Sequence, residues 1–111
     1  MEIQADKSDQ GAMVVLVSGR MDAVTAPAFL GRFDEWIGQE ERIFVVELSG
    51  LEYISSAGLR SILSAAKKLK AVDGRLVFCG VRGMVKDVFD ISSFDAMFPI
   101  YEDVDQALRQ L

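Results

Sequence analysis

Two adjacent hydroxyls, Ser55 and Ser56, carry the most distinctive chemistry in the chain. They sit where an apolar run, Phe44-Val45-Val46-Glu47-Leu48, passes through Ser49-Gly50-Leu51-Glu52-Tyr53-Ile54 into a helical pattern. A serine at a helix start can accept a hydrogen bond from a free N–H of the first turn, or it can be a place where a phosphate is added and removed. A capping box needs Glu or Gln three residues after the cap; Ser55 has Gly58 at that spacing and Ser56 has Leu59, so the box is absent. Gly58 is a poor helix former, and its missing side chain reads as an opening that exposes the serines to a partner. A phosphate on Ser56 would add a charge of about −1.5 to −2 at the positive end of a helix, where it is tolerated. Its effect would fall on a partner that had closed over the bare hydroxyl, through desolvation and repulsion. Asp22 is open to two readings, a turn or cap residue, or an acid beside the serine loop.

Other chemistries lack their usual equipment. The chain has no histidine, which removes the commonest general base and metal ligand. Its one cysteine, Cys79, lies in Leu76-Val77-Phe78-Cys79, has no internal disulfide partner, and reads as a buried small apolar residue. Asp87, Asp90, Asp95, Glu102, Asp103 and Asp105 match no EF-hand spacing, and no Gly-rich or Walker phosphate loop occurs. We therefore expect a protein that is not an enzyme and needs no cofactor or metal. The formal charge of −5, with Lys67-Lys68-Lys70 as the only basic cluster, disfavours a nucleic-acid partner. The longest apolar run, Ala12 to Val17, is far short of the roughly 20 residues of a membrane helix, and the start of the chain has no secretory pattern. No membrane insertion and a cytoplasmic location are the expectations.

The elements that must position the serines follow from periodicity. With 111 residues and 50% apolar content, the chain reads as one domain over residues 1–111. Glu2 to Lys7 and residues 12 to 18 read as a hairpin, ended by Gly19-Arg20. Thr25 and Pro27 mark the start of a helix over 26–38, with Phe29, Leu30, Phe33, Trp36 and Ile37 on one face. Ile43 to Leu48 reads as a strand covered on both faces. A helix over roughly 57–71 places Leu59, Ile62, Leu63, Ala66 and Leu69 inward, with Arg60, Ser61, Ser64, Lys67, Lys68 and Lys70 outward. A strand at Arg75–Cys79, a helix over Gly83–Ile91, a last strand within Ala96–Tyr101 and a terminal helix over Asp103–Leu111 complete the pattern. The order β-β-α-β-α-β-α-β-α implies an α/β fold, a mixed, mostly parallel sheet with an antiparallel N-terminal edge. In such a sheet the loops Gly19 to Thr25 and Gly50 to Gly58 can lie side by side on the edge where strands end and helices begin.

Four segments together, in order and spacing, carry a family resemblance over essentially the whole chain: Gly19-Arg20-Met21-Asp22 with Thr25-Ala26; Val45-Val46-Glu47-Leu48; Tyr53-Ile54-Ser55-Ser56-Ala57-Gly58-Leu59; and Leu76-Val77-Phe78-Cys79-Gly80 leading to Val88-Phe89. The chain resembles a STAS domain of the anti-anti-sigma factor type, the anti-sigma-factor antagonists. That resemblance implies a switch in which the unphosphorylated antagonist binds an anti-sigma factor that is also a serine kinase, and so frees the sigma factor. Phosphorylation by that kinase ends binding, and a PP2C-type phosphatase restores it. The acceptor serine of the family matches Ser56, with Ser55 the second candidate, and its acidic residue near that site matches Asp22. The family often has Asp before the acceptor and Ser or Thr after it, where this chain has Ser55 and Ala57. Docking of the partner is expected on Asp22, Thr25, Tyr53, Ser55, Ser56, Ala57, Gly58 and Arg60. Two other readings use the same fold: a constitutive accessory subunit of a lipid-transport ATPase, and, with less support, a small-molecule sensor.

Overall fold

The structure is a computed structural model that describes all 111 residues. Strand β1 (Glu2–Lys7) pairs antiparallel with β2 (Met13–Met21), from Glu2 opposite Ser18 to Lys7 opposite Met13. Every other pairing is parallel. The first half of β2 pairs with β3 (Ile43–Glu47), its second half with β4 (Leu51–Ile54), and β3 pairs in turn with β5 (Arg75–Cys79), which carries the short β6 (Ile100–Tyr101). The sheet runs β1-β2-β3-β5-β6, with β4 alongside the end of β2. Five helices accompany it: α1 (Ala26–Gly38), α2 (Ser56–Lys70), α3 (Gly83–Ile91), α4 (Phe94–Met97) and α5 (Val104–Arg109).

The two faces of the sheet are divided by the period of two along its strands. Phe44, Val46 and Phe78 point into the larger core with Phe29, Phe33 and Trp36 of α1, Ile62, Ala65 and Leu69 of α2, and Val85 and Phe89 of α3. Aromatic rings form its centre, with Phe33 at 4.9 Å from Phe29 and 4.8 Å from Phe44 between centroids. On the opposite face, Val45, Val77 and Cys79 meet Ala107 of α5. This two-sided burial is why Ile43–Glu47 reads as an almost unbroken apolar run. Cys79 has no exposure, and burial, reinforced by the Glu47 and Asp103 carboxylates, pushes its thiol up to about 12, so it stays protonated at neutral pH.

Four details differ from the expectations. Strand β2 does not end at Gly19-Arg20; Gly19 takes φ +90°, the register shifts there, and the strand continues to Met21. The stretch Leu51–Ile54, expected as loop, is β4: the chain turns through Leu48–Gly50, the Leu51 N–H donates to the Leu48 carbonyl, and Leu51 and Ile54 are buried. The last strand is only Ile100–Tyr101, because Phe94 is drawn into the core by a helical turn that opens after Ser93 at φ +62°. Pro99, just ahead of β6, has no N–H for a ladder. In α2, Leu63 is 37% exposed and Ser61 only 7%, opposite to the periodic assignment. Ser61 is tolerated inside because its hydroxyl donates to the Gly58 carbonyl at 2.7 Å. No helix is long and apolar enough to cross a membrane.

Candidate functional site

The end of β2 and the start of α2 are tied together by backbone. Met21 is opposite Ile54 in the β2–β4 register, and the Ser55 N–H donates to the Met21 carbonyl at 2.9 Å. The turn Asp22–Thr25 therefore lies beside the first turn of α2, the arrangement expected for the two loops.

Within that turn, Asp22 Oδ1 accepts from the Val24 N–H at 3.0 Å and the Thr25 N–H at 3.1 Å. Thr25 Oγ1 accepts from the Asp22 N–H at 2.9 Å and donates to the Arg20 carbonyl at 2.9 Å. The Ala26 N–H already bonds the Asp22 carbonyl at 2.8 Å. This is a reciprocal cap at the entry to α1. The Thr25 N–H above all, against an opposing desolvation penalty and helped by the Val24 N–H, the Thr25 hydroxyl and Arg20, holds the Asp22 carboxyl below the ordinary carboxylate value. Asp22 is thus a charged cap residue at neutral pH, and it makes no hydrogen bond to either serine.

The two serines have different surroundings. Ser55 is the N-cap of α2, in extended backbone conformation, and its Oγ accepts from the Gly58 N–H at 3.3 Å. Ser56 is the first helical residue, is exposed, and its hydroxyl has no protein hydrogen-bond partner. Ser55→Ala is expected to remove the cap and cost about 1 kcal/mol of stability, measured by urea unfolding. Because Ser56 Oγ has no part in the cap, it stays free in that variant.

Gly58 does not open the serines to a partner. It is buried and turned inward, where an added Cβ would lie 2.7 Å from Ile54 Cγ1 and 2.8 Å from the Met21 carbonyl oxygen. It is the contact that lets α2 seat against the end of β2. Ala57 is half-buried and, with Ala23, Ala26, Pro27, Leu30 and Arg60, lines a shallow groove of about 440 Å³ between α1 and α2. Val24, at its edge in sequence, is 87% exposed. Tyr53 carries the Arg20 guanidinium 4.2 Å from its ring centroid. Arg20, in sequence a strand end and part of a motif, takes its place in the site by standing opposite Tyr53 across the β2–β4 pair.

The surface assembled here presents an exposed hydroxyl, small apolar side chains, two arginines and one carboxylate already satisfied by its own turn. A model of the STAS domain family matches residues 3–107. The chain belongs to the STAS domain family. This STAS domain is 37% identical over 100 residues to the protein BtrV of Bordetella bronchiseptica, covering 90% of this chain and 85% of that protein. It is 29% identical over 103 residues to the anti-sigma F factor antagonist of Paenibacillus polymyxa, covering 92% and 88%. The crystal structure of an anti-sigma factor antagonist from Mycobacterium paratuberculosis matches it with a TM-score of 0.87 at 28% identity, over 98% of this chain and 92% of the other.

A second depression on this STAS domain, about 490 Å³, lies at the carboxyl ends of β3, β5 and β6. Its charged groups are partly engaged with the scaffold: Glu47 Oε1 accepts from the Ser49 N–H and hydroxyl at 3.1 and 2.9 Å, and Arg82 Nε donates to the Ser49 carbonyl at 3.0 Å.

Proposed function

We propose that this STAS domain is an anti-sigma-factor antagonist that acts by binding rather than by catalysis. In its unphosphorylated form it binds an anti-sigma factor that is a serine kinase, and so releases the sigma factor. Phosphorylation of Ser56 by that kinase ends binding, and a PP2C-type phosphatase restores it. The observation that carries this reading is the division of labour between the serines: Ser55 Oγ is committed to the helix cap, whereas Ser56 Oγ is exposed and free for modification. The name of the Paenibacillus relative and the likeness to the mycobacterial antagonist support the choice of partner class. The partner covers Ser56, Ala57, Arg60 and the turn Asp22–Thr25, with Tyr53 at the margin. Gly58 supports that surface from beneath.

The test is incubation with the cognate kinase and ATP, followed by mass spectrometry and a binding assay. Ser56→Ala is expected to keep full binding and take up no phosphate, and the PP2C-type phosphatase to return the modified parent protein to the binding form. Phosphate on Ser55, or anywhere other than Ser56, would contradict the assignment.

A further inference from the structure

Helix α2 has the sequence Ser56-Ala-Gly-Leu-Arg60-Ser-Ile-Leu-Ser64-Ala-Ala-Lys67-Lys68-Leu-Lys70, with four cations and no carboxylate. Helices are normally stabilised by acids in the first turn and by acid-to-base pairs four residues apart, acid first. This helix has neither. Lys68 finds its acid on α1, with Nζ 2.7 Å from Asp34 Oδ1, and the other ion pairs of the molecule are Lys7–Glu41 and Lys86–Asp90. Arg60 has no ionic partner.

Arg60 stands four residues after Ser56, and both are exposed. Residues at that spacing share a helix face with Cβ atoms roughly 5–6 Å apart. Helical side chains lean toward the N-terminus, so the side chain of Arg60 is within reach of the turn that contains Ser56. The rest of the groove that Arg60 lines is uncharged, with Ala23, Ala26, Pro27 and Leu30 on one side and Ala57, Ser61 and Ser64 of α2 on the other. The nearby Asp22 carboxylate is held by the Val24 and Thr25 N–H groups.

We propose that Arg60 is the intramolecular partner of a phosphate on Ser56. It completes the missing acid-to-base pair of α2 and is itself withdrawn from the docking surface. The inference rests on Ser56 as the modified residue. Phosphorylation then changes the surface twice, by placing a dianion on it and by turning the cation of the same helix face, Arg60, to that dianion. The guanidinium fork suits phosphate oxygens, so the pair is charge-assisted and geometrically defined. Aspartate at position 56 would supply the acid of this pair but, shorter and singly charged, not the doubly charged, three-oxygen acceptor that the guanidinium fork suits.

The experiment uses the full chain with phosphoserine installed directly at position 56 during synthesis, so that no kinase is needed. The second ionisation of the phosphate is followed by phosphorus NMR in the otherwise parental protein and in Arg60→Gln and Arg20→Gln. The pair favours the dianion, so the phosphate of the parental protein is expected to titrate about half a pH unit below that of Arg60→Gln, roughly a threefold difference in proton affinity. The difference should shrink in 1 M salt, where the screening length falls to about 3 Å. Coincident titrations of the parental protein and Arg60→Gln would overturn the proposal, as would a larger shift from Arg20→Gln. Because the phosphate is placed chemically, such a result leaves the kinase assay untouched, and a negative kinase assay leaves this measurement intact.

Discussion

Gly58→Ala is expected to lower the stability of the domain by about 2 kcal/mol, where the same change in an unobstructed helix interior raises it by up to about 1 kcal/mol. The reversal comes from what a Cβ meets. It would stand 2.7 Å from Ile54 Cγ1, 2.8 Å from the Met21 carbonyl oxygen and 3.1 Å from Met21 Cγ. Ile54 is 2% exposed and Met21 is fully buried, so neither side chain has free space to retreat into. The carbonyl is also fixed by its bond to the Ser55 N–H. Relief requires α2 to move off the end of β2. For a chain of this size the loss corresponds to a melting temperature roughly 10 °C lower, measurable by thermal unfolding followed by circular dichroism. Gly31→Ala in α1, where an added Cβ meets nothing within 4 Å, is the control and should be neutral or mildly stabilising. If both variants melted alike, close packing at Gly58 would not be what seats the helix.

Ser56→Asp is expected to weaken binding to the anti-sigma factor by about thirtyfold or more while the fold stays intact. The two effects separate because the fold and the partner meet the new charge in different places. Within the domain, residue 56 is exposed at the first helical position, where a carboxylate interacts favourably with the helix dipole by about 0.3–1 kcal/mol. In the complex, the carboxylate is covered and has no partner built for it, and a buried unpaired charge costs about 2–5 kcal/mol, of which 1.4 kcal/mol is each tenfold in affinity. Calorimetric titration with the kinase, paired with urea unfolding of the free variant, measures both quantities. Undiminished affinity of a folded Ser56→Asp protein would sink the switch.

These variants act on neighbouring residues with opposite readouts, which reflects how the site is built. Ser55, Gly58 and Asp22 hold backbone in place: one caps α2, one admits it to close contact, one caps the entry to α1. In the proposed function, Ser56, Ala57 and Arg60 meet the partner on the surface that results. Mutations in the first set should show in stability, and mutations in the second in recognition.

The chain's own pattern determined the elements and the alternating faces. The apolar stripe of Phe29, Phe33 and Trp36, the unbroken run at Phe44–Val46, and the placement of strands before helices are local features, written in side-chain type at spacings of two and of three to four, and the structure reproduces them. The motif around Ser55 and Ser56 also marked the start of α2 without reference to any contact. Sequence could not distinguish cap from free hydroxyl among two identical neighbours, nor tell that Gly58 points inward, that Ser61 is buried where Leu63 is exposed, or that Leu51–Ile54 pairs with the far half of β2. The inward turn of Gly58 and the burial of Ser61 depend on which way α2 is rotated against Met21, which lies 40 residues before Ser61. The rotation of a helix about its own axis is set by the shape of what it packs on, and only the assembled sheet supplies that shape.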